Sequence, residues 1–189
     1  MVGCVRVRRS AEHGDRPVQQ FRGTAALCGI SAAPQRQALQ AQRLVRRVCV
    51  HCCEAYRPTA AEIQDVGIDP DRFFLGQESL VVPLREEDGT VIPLAAPSGR
   101  KLPPPGHLYR AAGCDKCHGS GYAGRTGLYE VLMITEDIRR LAIRNADSGQ
   151  IKAAALAQGM RTLRDDGAHK VLCGITTLEE VIAVTAEES

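Results

Sequence analysis

From Thr135 to the C-terminus apolar residues recur every three or four positions, with glycine breaking the recurrence at intervals. Ile138, Leu141 and Ala142 mark one helix; Ile151, Ala154 and Ala155 mark a second that stops near Gly159; Ala168, Val171 and Leu172 mark a third that stops near Gly174. Thr177-Leu-Glu-Glu180 has the form of a capping box, opening a fourth helix that carries Leu178, Val181, Ile182 and Thr185. Four short helices with tight links predict a C-terminal helical subdomain over 128–189. The unbroken apolar run Leu128–Ile134 at its entrance predicts a strand.

Upstream the pattern is less regular. Leu39, Leu44, Val45 and Val48 come near helical spacing with arginines between them, which predicts a short amphipathic helix over Gln35–Val48 that runs into the first cysteine pair, counted as 41–48 in the division of the chain. Thr59-Ala-Ala-Glu62 predicts a capped helix reaching Val66 and stopped by Gly67. Leu80–Leu84 and Val91–Leu94 flank an Asp88-Gly89 turn signal and predict a hairpin, with Pro83 and Pro93 confining both runs to a sheet edge. Residues 95–106, rich in Pro and Gly, read as an exposed loop, and residues 1–40 carry no sustained period and read as an irregular, disordered tail. The sum is an α+β chain: the tail at 1–40, the helix at 41–48, a hairpin-bearing subdomain at 49–127 and the helices of 128–189.

Composition narrows the function classes. Aromatic residues make up 4% of the chain and Trp is absent, so the sequence offers no base-stacking platform. Residues 1–47 hold nine Lys and Arg against two acidic residues, and the remainder holds 15 against 20. Arg6, Arg8, Arg9, Arg16 and Arg22 could meet phosphates, but only Phe21 accompanies them. A solvated tail is therefore the reading, and no nucleic-acid partner is expected. The sequence contains no apolar run of about 18 residues and no secretory h-region, so the expectation is a cytoplasmic protein whose thiols stay reduced.

In that setting the cysteine spacing carries the chemistry. Cys49-Val-His-Cys52 and Cys114-Asp-Lys-Cys117 are two Cys-x-x-Cys hooks, the pattern of a structural Zn²⁺ site that is closed by four thiolates and keeps no open position for substrate. Four thiolates on a divalent ion leave a formal charge of about −2. Arg46, Arg47, Lys116 and Arg125 are the cations expected to offset it, with Gly119 and Gly121 letting the backbone approach the sulfurs. Cys53 breaks the hook spacing, although its place beside Cys52 makes it a competitor. His51 and His118 read as solvent-facing spacers, Cys173 as a packing residue, and Cys4 and Cys28 as free thiols.

Catalytic patterns are missing from the sequence. None of Lys101, Lys116, Lys152 and Lys170 follows a glycine, so there is no phosphate-binding Gly-x-x-x-x-Gly-Lys loop; neither His-Glu-x-x-His nor His-x-Glu occurs. Asp165-Asp166 is explained by the preference of a helix's first turn for acids.

Seven blocks then follow in one order: Ala41-Gln-Arg-Leu-Val-Arg46, the first hook, Leu108-Tyr-Arg, the second hook, Gly121-Tyr-x-Gly-Arg-Thr-Gly-Leu-Tyr-Glu130, Gly159-Met-Arg-Thr-Leu-Arg-Asp-Asp-Gly167 and Gly174-Ile-Thr-Thr-Leu-Glu-Glu-Val181. Over about 145 residues this resembles the C-terminal part of the type II secretion and type IV pilus assembly ATPases. The resemblance implies hexameric motors with a RecA-like core, a tetracysteine zinc subdomain with Cys49, Cys52, Cys114 and Cys117 as ligands, and a C-terminal helical subdomain. It further implies docking to an inner-membrane platform at the cytoplasmic face of that membrane. The nucleotide site of such motors lies ahead of the Ala41 block, so the implied object is a non-catalytic remnant with no ATP site. Val50 replaces a usual Pro, and the spacer between the hooks is longer than common. Residues 1–40 look unlike the family, which implies a shifted reading frame or misplaced start. A second resemblance, of Cys114-x-x-Cys117-x-Gly119-x-Gly121 to one repeat of the zinc-dependent DnaJ chaperones, covers one repeat of the four such a domain uses.

Overall fold

The computed structural model describes residues 38–74, 84–85, 91–92 and 100–186. The expected tail lies outside the described residues through residue 37, as do Cys4 and Cys28. The elements run β1 (Ala38–Val48), β2 (Cys53–Tyr56), α1 (Ala60–Gln64), α2 (Pro70–Phe74), β3 (Leu84–Arg85), β4 (Val91–Ile92), β5 (Leu108–Ala111), β6 (Tyr122–Met133), α3 (Glu136–Ile143), α4 (Ser148–Ala157), α5 (Leu163–Leu172) and α6 (Leu178–Thr185). Three two-stranded sheets form, β1 with β6, β2 with β5 and β3 with β4, which makes the chain α+β.

The helix expected over Gln35–Val48 is instead the strand β1, and residues 38–40 of the expected tail belong to it. Its Ala, Gln, Leu and Arg residues favour helix only weakly, by tenths of a kcal/mol, and the ladder with β6 overrides them. β6 itself starts six residues before the apolar run that predicted it, running through Gly124 and Gly127. The capped helix α1 forms as expected: the Thr59 hydroxyl accepts from the Glu62 N–H, and the Glu62 carboxylate accepts from the Thr59 N–H at 2.7 Å. Of the expected hairpin, the described residues show the antiparallel pairing Leu84↔Ile92 and Arg85↔Val91, while residues 80–83, the Asp88-Gly89 turn and residues 93–94 lie outside the described residues. Helix α2 has no apolar period long enough to announce it; Asp69 ahead of Pro70 opens it, the Asp69 carboxylate accepting from the Asp71 N–H at 3.0 Å.

Packing divides the chain into two compact units. One holds the described residues through Arg43 with Tyr129–Leu163, and the other holds the described residues of 44–128 and 164–186. All four C-terminal helices form, but α3 and α4 belong to the first unit and α6 to the second. The reason lies in what each buries. In the first unit Ile138, Ile151 and Ala155 close around Ile134, with Leu39 and Leu132 of the two long strands against them. In the second, α6 buries Leu178 and Val181, with Leu128 fully buried in the same unit.

Gly167 gives the clearest test of the second unit. A Cβ there would lie 2.4 Å from Val181 Cγ1 and 3.4 Å from Leu128 Cδ1. Gly→Ala inside a helix ordinarily stabilises by about 0.5–1 kcal/mol. Here overpacking, at about 1–3 kcal/mol, outweighs that gain. Denaturant unfolding of Gly167→Ala is therefore expected to show a net loss; a gain in stability would refute the packing of α5 on α6.

Candidate metal centre

The two hooks meet because two strand ladders end beside them. β2 and β5 pair antiparallel with Cys53 opposite Ala111, Glu54 opposite Arg110, Ala55 opposite Tyr109 and Tyr56 opposite Leu108. The first hook therefore ends where β2 begins, and the second starts just after β5. On the other side, β1 runs into Cys49 and β6 starts after Gly121, and the Cys49 N–H donates to the Gly121 carbonyl at 2.9 Å. The long insertion between the hooks leaves from the far end of the β2–β5 ladder, with Ile63, Val66, Ile68 and Phe73 buried within it.

The sulfurs of Cys49, Cys52, Cys114 and Cys117 all lie within 4.8 Å of one another, and the described residues form no other such group of three or more metal-capable side chains. Cys52 Sγ and Cys114 Sγ each stand 3.7 Å from Cys117 Sγ. Four sulfurs arranged tetrahedrally at about 2.3 Å from one ion are about 3.8 Å apart, so these separations fit a tetrathiolate site. Backbone donors complete the environment. Gly113 N–H donates to Cys52 Sγ at 3.3 Å, and the N–H groups of Cys114 and Gly121 donate to Cys117 Sγ at 3.2 Å each. Burial alone would raise the Cys117 thiol, but these two N–H groups and the neighbouring thiols bring it down to about 6. Burial pushes Cys52 up to about 12 against the opposing Gly113 N–H, so an incoming metal must expel its proton.

Two of these donors depend on glycine. Gly121, at φ 73°, would place a Cβ 2.6 Å from the Ala111 Cβ. Gly113, at φ 104°, would place one 2.6 Å from the Gly119 carbonyl oxygen. Gly119 was expected to approach a sulfur, but its N–H goes to the Cys114 carbonyl at 2.9 Å, and Gly113 takes that role. The signal for Gly113 was its place one residue before the second hook.

One of the expected cations, Arg46, is engaged elsewhere. Arg46 is spent on Glu180, its Nη2 lying 2.6 Å from Oε1. Arg100, placed by sequence in an exposed loop, instead donates to the Val48 and Gly174 carbonyls at 2.6 and 2.5 Å. Burial, with the like charge of Arg47, lowers its affinity for the proton, against the opposing effect of Cys53 and Cys49. Cys53 stays outside the sulfur cluster, with its Sγ 4.0 Å from the Val50 carbonyl, and His51 and His118 are exposed. Cys173 is buried, which pushes its thiol up to about 11 against the opposing charge of Lys170. The capping box expected at Thr177 and Glu180 does not form: the Thr177 hydroxyl meets the Tyr122 hydroxyl at 3.1 Å, and the Glu180 carboxylate serves Arg46. Asp166 pairs with Lys170 one turn along α5.

Residues 28–183 match the family model described as type II/IV secretion system protein. The chain belongs to this family. Within the secretion family it is 34% identical over 170 residues to the type IV pilus assembly ATPase PilB of Thermus thermophilus, covering 90% of this chain and 15% of the relative. It is 38% identical over 148 residues to the type II secretion system protein E of Pseudomonas aeruginosa, covering 78% and 23%. A type II secretion system protein E of Pectobacterium carotovorum is 31% identical over 174 residues, covering 92% and 26%. The chain thus spans between about one seventh and one quarter of the length of these secretion relatives. Because the family match starts at residue 28, the segment expected to be foreign at 1–40 is in part family sequence. No helix of the described residues is long and apolar enough to cross a membrane.

Proposed function

We propose that the chain is a non-catalytic segment of a hexameric secretion or pilus-assembly motor, and that Cys49, Cys52, Cys114 and Cys117 hold one structural Zn²⁺. The observation that carries this reading is the closure of the two hooks into one four-sulfur cluster at the meeting point of two ladders. Four thiolates fill a tetrahedral ion, so the metal supplies rigidity and no Lewis-acid chemistry toward a substrate. What it rigidifies is the base of the arm that carries α1, α2 and the β3–β4 hairpin. This arm serves subunit assembly and docking to the inner-membrane platform, at the cytoplasmic periphery of that membrane.

Elemental analysis of the purified full chain is expected to find one zinc per polypeptide, and phosphate release is expected to show no ATP turnover. Binding to the platform protein is expected to fall at least tenfold on chelation. Two zinc ions, none, or measurable hydrolysis would each overturn the reading.

A further inference from the structure

The end of β1 that leads into Cys49 is fastened to the segment Gly174–Glu180 at Arg46 and at Val48. The Arg46 N–H donates to Glu180 Oε2 at 2.8 Å, and its guanidinium donates to Oε1 through Nε at 2.9 Å and Nη2 at 2.6 Å. The same guanidinium lies 3.9 Å from the centroid of the Tyr122 ring. The Thr176 hydroxyl, fully buried, donates to the Arg46 carbonyl at 2.8 Å. Two residues on, the Val48 N–H donates to the Ile175 carbonyl at 2.9 Å, and Arg100 joins the Val48 and Gly174 carbonyls. Cys49 follows directly.

The other three ligands are oriented within the second hook and its neighbours. N–H groups of Gly113, Cys114 and Gly121 point at the sulfurs of Cys52 and Cys117, and Cys114 caps the turn Asp115–Cys117. Cys49, whose own N–H donates to the Gly121 carbonyl at 2.9 Å, is placed in addition by the end of β1 that runs into it. A metal site needs its ligands held within about 0.5 Å of the productive geometry by groups behind them. The Glu180 side chain is 14% exposed and that of Arg46 54%, so the carboxylate is the enclosed end of the pair, and three hydrogen bonds to Arg46 fix its geometry.

We infer that Glu180, acting through Arg46, is a positioning residue of the metal centre, so that retention of the metal and order in α6 are linked. The inference rests on the metal reading above. Linkage is reciprocal: if Glu180 holds Cys49 in place for the ion, the ion in turn steadies α6. The latch therefore carries metal occupancy from the base of the arm to the last helix of the chain.

The test uses the full chain, zinc release to a chelating dye, the visible spectrum of the Co²⁺-substituted protein, and amide exchange in α6. Glu180→Gln is expected to release zinc at least tenfold faster, alter the thiolate–Co²⁺ bands, and abolish the metal-dependent slowing of exchange seen in the wild type. Glu180→Asp, which keeps the carboxylate, is expected to recover part of the retention. Ile138→Ala, which weakens the core of the other unit, is the control and should leave release within twofold. Release from Glu180→Gln within twofold of wild type, or equal acceleration by Ile138→Ala, overturns the latch while leaving the metal site standing. Wild type without zinc overturns both. If Glu180→Gln yields no soluble protein, Thr176→Val, which removes the donor to the Arg46 carbonyl, is scored by the same criteria.

Discussion

Cys117→Ser is expected to lose the zinc and about 3–5 kcal/mol of stability, at the upper end of what single substitutions cost. Cys117 is the buried hub of the cluster: its sulfur lies 3.7 Å from both Cys52 and Cys114 and accepts two N–H groups. A serine oxygen at that place is smaller, harder and not ionised near neutral pH, so it neither replaces a thiolate on zinc nor satisfies both donors as well. With the ion gone, the β2–β5 ladder keeps four residues in each strand, a short pairing that is marginal by itself. Chelation of the wild type should reproduce the loss, and chelator should do nothing further to Cys117→Ser. Thermal unfolding with and without chelator checks both statements. An unchanged midpoint with one zinc retained in Cys117→Ser would exclude the tetrathiolate assignment.

Gly121→Ala is expected to destabilise by about 2–4 kcal/mol. Two costs add there: about 1–2 kcal/mol for a side chain at positive φ, and a further contribution of similar size for the clash with β5. The clash is with Ala111, whose Cβ would lie 2.6 Å away and whose Cα and carbonyl carbon would lie 3.1 Å away. Relief of that clash must move a peptide that donates to Cys117 and accepts from Cys49, so one methyl group disturbs both hooks. Adding Ala111→Gly should recover part of the loss and leave the φ cost. Gly119 is the contrast: it has a similar φ of 74° but nothing within 4 Å of a built Cβ, so Gly119→Asn should cost less than about 1 kcal/mol. Equal losses at the two positions would show that steric closeness to β5 is not what matters.

These two expectations mark the difference between local and tertiary information. The four clustered cysteines were legible as candidates because a Cys-x-x-Cys hook is complete within four residues. Helices α3 to α6 were legible for the same reason, since each carries its own apolar period and α3–α5 end at recognisable turns: Asn145 follows α3 with φ 53°, and Gly159 and Gly174 follow α4 and α5 at positive φ. The capped helix α1 was equally local, its two hydrogen bonds joining residues three apart.

What failed depended on a distant partner. β1 has apolar positions compatible with a helix, and only the ladder with β6 makes it a strand. Thr177 and Glu180 have a helix-cap pattern, yet Tyr122 and Arg46, distant in sequence, take both side chains. Arg100 sits in a Pro- and Gly-rich stretch that reads as solvent-exposed, and its two carbonyl partners come from residues 52 and 74 positions away. Sequence alone determined which residues can bind a metal and which segments are helical, because those properties close over a few residues. Tertiary structure alone decided which backbone donors face the sulfurs, which carbonyls Arg100 joins and which helix shares a unit with the sulfurs, because each is a contact between segments far apart along the chain.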